Sequence, residues 1–183
     1  MKSGVRALGV AESYRDETST LAGAVVRADR VVDDFAFAQC TVGGDDATAT
    51  VIDIYRRLDR PDVQYLFLSG IAPAWFNVFD LHAIAEAVDR PVIAVSFESS
   101  EGLESAIREA FDGQARAWRL DTYRAQPDRH EVTVDGESVF VRSVGIDEVD
   151  DIVRAFTPEG GRPEPLRVAR LAARAADAFA RRG

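Results

Sequence analysis

The chain has few side chains of the kinds that act as nucleophiles or bind soft metals. It contains one cysteine, Cys40, two histidines, His82 and His130, and one methionine, and its only lysine among 22 basic residues is Lys2. A lone cysteine excludes an internal disulfide and fits a reduced, intracellular setting. Neither histidine stands in metal-ligand spacing with Cys40. His82 is expected on the exposed flank of a helix and His130 in a loop. No stretch approaches the ~18 apolar residues of a membrane span, and Met1 to Gly9 lacks an apolar signal core. A cytoplasmic protein with no membrane partner is expected.

Acid is what the chain has in excess. Its 31 acidic residues give a net charge of -9, which opposes loose electrostatic attraction to nucleic acid. An acidic, lysine-poor surface suits a cytoplasm of very high salt, where the Debye length falls to about 3 Å or less. The alternative is an ordinary acidic protein, and stability measured against salt separates the two. With 183 residues, 46% of them apolar, the chain is expected to form one domain over 1–183 around a single core.

Alternation from Val5 to Ala11 or Glu12 predicts a first strand, followed by a polar loop from Tyr14 to Thr20. Further strands are predicted from Leu21 to Ala28 and from Val31 to Thr41, spaced closely enough for an antiparallel meander. After Val42-Gly43-Gly44, the residues Ala47, Val51, Ile54, Tyr55 and Leu58 mark a helix. Tyr65 to Leu68 is apolar on both faces, as in a central strand. Asn77 is placed as the cap of the next helix, with Asp80 at its third position and Leu81, Ile84, Ala85 and Val88 on its buried face. A buried strand over Val92 to Val95 and a helix over Leu103 to Phe111 follow. Ala115 to Tyr123 has no clear period. Asp135-Gly136 suits a hairpin turn, Val149 to Phe156 a short helix, and Pro163-Glu164-Pro165 the start of a long helix with Val168, Leu171, Ala172, Ala175 and Phe179 on one face. This order is that of an α/β, ribonuclease H-like mixed sheet, an antiparallel three-strand meander followed by parallel strands and flanked by helices. A generic α/β sandwich is the alternative.

In a ribonuclease H-like fold, carboxylates at the ends of the first and fourth strands and near the first helix grip two metal ions, which activate water and stabilise the leaving oxygen of a phosphodiester. Magnesium suits that role through its oxygen ligands. Here those places hold Ala11-Glu12, Asp45-Asp46 and Ser69. Strand alternation turns Glu12 to the face opposite Ala11, so it cannot simply replace a carboxylate there. Asp45, Asp46 and Asp80 could ligate a metal or could serve only as helix-start carboxylates. Gly43-Gly44 could offer amides to an anion but lacks the spacing and lysine of a P-loop. Trp75 and Phe76 could stack on a nucleic-acid base or wedge their loop against the core.

Gly4-Val5-Arg6-Ala7-Leu8-Gly9-Val10, Gly44-Asp45-Asp46-Ala47-Thr48, Ser69-Gly70-Ile71 with Phe76-Asn77-Val78 and Asp80, Arg90-Pro91-Val92-Ile93, and Pro163-Glu164-Pro165-Leu166-Arg167-Val168-Ala169 together resemble an archaeal family distantly related to endonuclease V. The resemblance spans nearly the whole chain. It implies a ribonuclease H-like fold and magnesium-dependent cleavage of nucleic acid near deaminated bases. The family pattern has aspartate where this chain has Ala11 and Ser69, and often where it has Gly43. Glu12, Asp46 and Asp80 fall at acidic positions of the pattern. The candidates are therefore Glu12, Asp46 and Ser69 for catalysis, Glu12, Asp45, Asp46 and Asp80 for magnesium, and Trp75 and Phe76 for nucleic acid. Three functions are open: a divergent endonuclease V-like protein with weakened or lost metal-dependent cleavage that binds nucleic acid, a non-catalytic scaffold, and an enzyme remodelled around the remaining carboxylates for a small phosphorylated substrate.

Overall fold

Ten-residue strands open the chain. In a computed structural model that describes residues 1–181, β1 (Arg6–Arg15) pairs antiparallel with β2 (Thr18–Arg27), and β2 with β3 (Val32–Thr41). Residues 182 and 183, the end of the expected 1–183 domain, lie outside the described residues. The loop expected over Tyr14 to Thr20 is instead paired strand up to Arg15↔Thr18, closed by a two-residue turn at Asp16 and Glu17. Polar side chains at the end of a hairpin do not stop main-chain pairing. The turn needs only a residue that tolerates positive φ, and Asp16 adopts 60°.

Helix α1 (Ala47–Leu58) leads into β4 (Val63–Ser69), which lies parallel to β1. After the short turn α2 (Pro73–Phe76) and helix α3 (Leu81–Val88), β5 (Val92–Ser96) lies parallel to β4. Helices α4 (Glu104–Ala110) and α5 (Gly113–Arg124) precede the hairpin of β6 (His130–Val134) and β7 (Glu137–Val144), and β7 pairs antiparallel with β5. The strand order is β3-β2-β1-β4-β5-β7-β6, so β4 is central as expected. α6 (Val149–Ala155) and α7 (Glu164–Ala180) follow. His130 begins β6 and is not in a loop. The stretch without a clear period is α5, whose buried residues are one arginine and one leucine, Arg119 and Leu120. No helix among the described residues is long and apolar enough to cross a membrane.

Both faces of the sheet are covered. Leu8, Val10, Leu66 and Leu68 pack with α1 and α3, whereas Ala7, Phe67, Ile93 and Val95 pack with α6 and Leu166 of α7. Two glycines set these approaches. A Cβ on Gly23 would lie 2.5 Å from Ile54 of α1, and one on Gly9 2.2 Å from the Pro165 carbonyl oxygen of α7. The close approach at Gly9 fixes the rotation of α7 about its axis. Its buried residues are Pro165, Leu166, Val168, Ala169, Ala173 and Asp177, with Val168 and Ala169 against Ala11, Ala24 and Val26. The face expected to include Leu171 and Phe179 is displaced, and those two side chains are 55% and 79% exposed.

Candidate functional site

The loop after β4 turns left-handed. Ala74, Trp75 and Phe76 have φ of 48°, 57° and 58°, a conformation that costs an L-residue about 1–2 kcal/mol. Three such residues in succession persist only where the surroundings hold them. The Asn77 amide closes the turn onto the Pro73 carbonyl at 2.9 Å, and the Gly43 amide donates to the Ala74 carbonyl at 2.7 Å. From the strand side, both carboxylate oxygens of Glu12 accept the Ala74 amide at 2.9 Å, while Ser19 Oγ donates to Glu12 Oε2 at 2.6 Å.

A further fastener comes from α5. Arg119 is 3% exposed and donates to the carbonyls of Phe76 (2.9 Å), Gly43 (2.5 Å), Gly44 (3.0 Å) and Ala115 (2.8 Å). Its guanidinium lies 3.7 Å from the Phe111 ring centre, and burial lowers its pKa against the opposing charge of Asp45. Arg119 was not among the sequence candidates, since nothing in the pattern of α5 distinguishes a buried arginine from a solvated one.

The turn holds Trp75 outward, 54% exposed, with its ring 5.2 Å from Phe76, which in turn packs edge-on to Phe111. Core wedging therefore applies to Phe76 and not to Trp75. Beneath them, at the carboxyl ends of β4 and β5, is a cavity of about 410 Å³, a usual ligand position in sheets with this reversal of strand order. It is lined by Glu12, Tyr14, Trp75, Phe76, Tyr123 and Phe140, with Glu98, Arg129 and Arg142 among its charged groups. Arg129 stacks on Phe140 and Arg142 on Tyr123, at 4.6 and 5.4 Å from the ring centres.

The other candidates are engaged elsewhere. Asp46 stands at the start of α1, but its carboxylate turns back to accept from the Thr41 amide and hydroxyl and from Asn77 Nδ2. Burial pushes the Asp46 carboxyl up, and these hydrogen bonds outweigh it, leaving the pKa below the usual carboxylate range. Asn77 is fully buried and does not cap α3. Its Oδ1 accepts the Ala47 amide of α1 at 3.0 Å and its Nδ2 also donates to the Thr41 carbonyl. Asp80 is itself the N-cap of α3, accepting from the Ala83 amide at 2.9 Å, so it does not occupy the third helical position. The left-handed turn redirects the chain and moves the helix start to Leu81. Asp45 is exposed. The Gly43 and Gly44 amides donate to Ala74 and Thr41 carbonyls, which leaves neither for an anion.

Ala11 and Ser69 lie on the α7 face, Ala11 packed against Val168 and Ala169 and Ser69 on the same side of β4 as Phe67. Glu12 is across the sheet with both oxygens on protein donors. Among the described residues no three His, Cys, Asp or Glu side chains gather as a metal-holding group. The residues present do not fit the two-metal arrangement that the resemblance implies.

Comparison with known proteins agrees with the architecture. A UPF0215 protein of Pyrobaculum aerophilum is 35% identical over 178 residues, covering 94% of each chain. The crystal structure of a protein of unknown function from Archaeoglobus fulgidus superposes with a TM-score of 0.83 at 26% identity, over 93% of this chain and 97% of that one. Endonuclease V of Ciona intestinalis, solved with a 24mer DNA containing an inosine followed by a ribo-adenosine, superposes with a TM-score of 0.59 at 12% identity, over 93% and 84%. At that identity the likeness concerns the fold alone, and the fold is the expected ribonuclease H-like one. The family model described as Endonuclease dU matches residues 3–177, and the chain belongs to that family.

Proposed function

We propose that this protein binds single-stranded nucleic acid through the aromatic cavity below Trp75, and that its metal-dependent cleavage is weakened or lost. One observation carries this reading: Glu12, a carboxylate that lines the cavity, is held by a left-handed turn whose effect is to present Trp75 to solvent. A base stacked on an aromatic side chain contributes about 1–3 kcal/mol whatever its identity. Stacking also survives high salt, where attraction between phosphates and a protein of net charge -9 would be weak in any case. The DNA in the Ciona endonuclease V structure supports nucleic acid as the ligand class. The absent carboxylates at Ala11 and Ser69 support loss of cleavage.

The test is fluorescence anisotropy of labelled single strands, with and without inosine, against the parent and Trp75→Ala. Loss of one stacked base predicts affinity about 5–150-fold weaker in the variant. Incubation of the same strands with millimolar magnesium or manganese in high salt is expected to leave them uncut. Cleavage that depends on Glu12 and Asp46 would overturn the loss of activity, and failure of every strand to bind would leave the fold as a scaffold.

A further inference from the structure

The α7 side of the sheet end carries two arginines. Phe97 continues β5 beyond Ser96 and packs with the cluster containing Phe67 and Val95, the face on which Ser69 stands. Over its ring, 3.9 Å from the centre, lies the guanidinium of Arg162. The helix supplies a second arginine. At about 100° per residue, Arg170 falls on the flank of α7 opposite Val168, which packs against β2, and so on the flank towards β4 and β5.

Among the described residues neither arginine is ion-paired. The neighbouring carboxylates are taken, Glu159 by Arg30 and Glu164 by Arg167, each at 2.6 Å. Glu137 Oε2 stands beside Gly161, 2.3 Å from where a Cβ on it would lie, yet among the described residues no carboxylate pairs with Arg162 or Arg170. Burial and the charge of Arg170 both lower the pKa of Arg162. Two like charges on one side of the sheet end, in a protein with nine more acidic than basic residues, are an arrangement that an oxyanion would relieve.

We propose that Arg162, over the Phe97 ring, and Arg170, on the flank of α7 towards β4, bind a phosphate group directly, with no bridging metal. Such a site reaches phosphate with guanidinium groups, whose fork geometry matches phosphate oxygens. The phosphate belongs either to a nucleic-acid strand or to a small phosphorylated molecule. The first source rests on the function proposed above, and the second does not.

Arg170→Gln and Arg162→Gln separate these cases, with inorganic phosphate, a 5′-phosphorylated single strand and its unphosphorylated form as probes. In the parent, inorganic phosphate is expected to raise Tm and the phosphorylated strand to bind with or without chelator. Each variant should bind the strand about tenfold more weakly, as expected for losing a charge-assisted hydrogen bond, with a log–log salt slope shallower by about 0.7. Its thermal response to phosphate should shrink. Without ligand, Arg170→Gln should melt no lower than the parent, because it removes a repulsion; a structural arginine would show a loss. Parent-like binding of all probes by both variants overturns the proposal, as does loss of parent binding on chelation. If Trp75→Ala abolishes strand binding and the arginine variants do not, this site falls while the proposed function stands. If no strand binds but the phosphate response depends on both arginines, the site stands with a small phosphorylated ligand and the proposed function falls.

Discussion

Removing Glu12 tests whether that carboxylate serves the fold or a metal. Its two oxygens accept the amide of Ala74, a residue 1% exposed, and the Ser19 hydroxyl. Glu12→Ala leaves the Ala74 amide without that acceptor, at about 1–3 kcal/mol for a buried group. The left-handed turn stores about 3–6 kcal/mol over three residues, so some of the loss is recovered if the turn relaxes. A net destabilisation of up to about 3 kcal/mol lowers Tm by up to about 12 °C in a chain of this size. Glu12→Gln keeps a carbonyl oxygen for Ala74 and should cost less than about 1 kcal/mol, within the usual net range for one hydrogen bond. Urea unfolding gives the stability difference, and hydrogen exchange at Ala74 with Trp75 emission, read in a Trp118→Phe background, shows whether the turn has opened. Unchanged stability and exchange in Glu12→Ala would refute the clamp. So would a Glu12→Gln variant that folds like the parent but loses a manganese-dependent thermal shift the parent displays.

Asp46 should make stability depend on acid. Its carboxyl has a lower pKa folded than unfolded, so its contribution is present above the unfolded value near 4 and is lost as pH falls through the folded one; urea midpoints of Asp46→Asn against the parent should converge as the pH drops below about 4. Gly9→Ala would drive a methyl to 2.2 Å from the Pro165 carbonyl oxygen. Because backbone cannot move aside as a side chain can, it should destabilise by about 3 kcal/mol or more and free α7, which limited proteolysis would detect. Cys40 is buried and its thiol pushed up to about 12, first by burial and then by the charges of Asp46 and Glu12. A thiol reagent at pH 8 should label it only at the rate at which the protein unfolds.

Much of the framework was legible because it rests on period and punctuation. The β4 segment is apolar on both sides because it lies between two covered strands, and Gly-Gly, Arg-Pro and Asp-Gly mark real breaks near their positions. Where solvent-exposed polar residues still paired, as at Tyr14 to Thr20, composition misled. The face of α7 shifted because a glycine on another strand sets how the helix lies.

By itself the sequence determined the strand order class, the family, and the absence of carboxylates at Ala11 and Ser69, since these depend on residue identity along the chain. Only the tertiary structure decided what the remaining polar groups do. Whether Glu12 holds a metal or an amide, whether Asn77 caps its own helix or α1, and whether Arg119 is solvated or buried depends on which hydrogen-bonding partners arrive from distant segments. Trp75 stands out in solvent for the same reason: Glu12, Gly43 and Arg119, from three separate elements, hold a turn that its own residues disfavour.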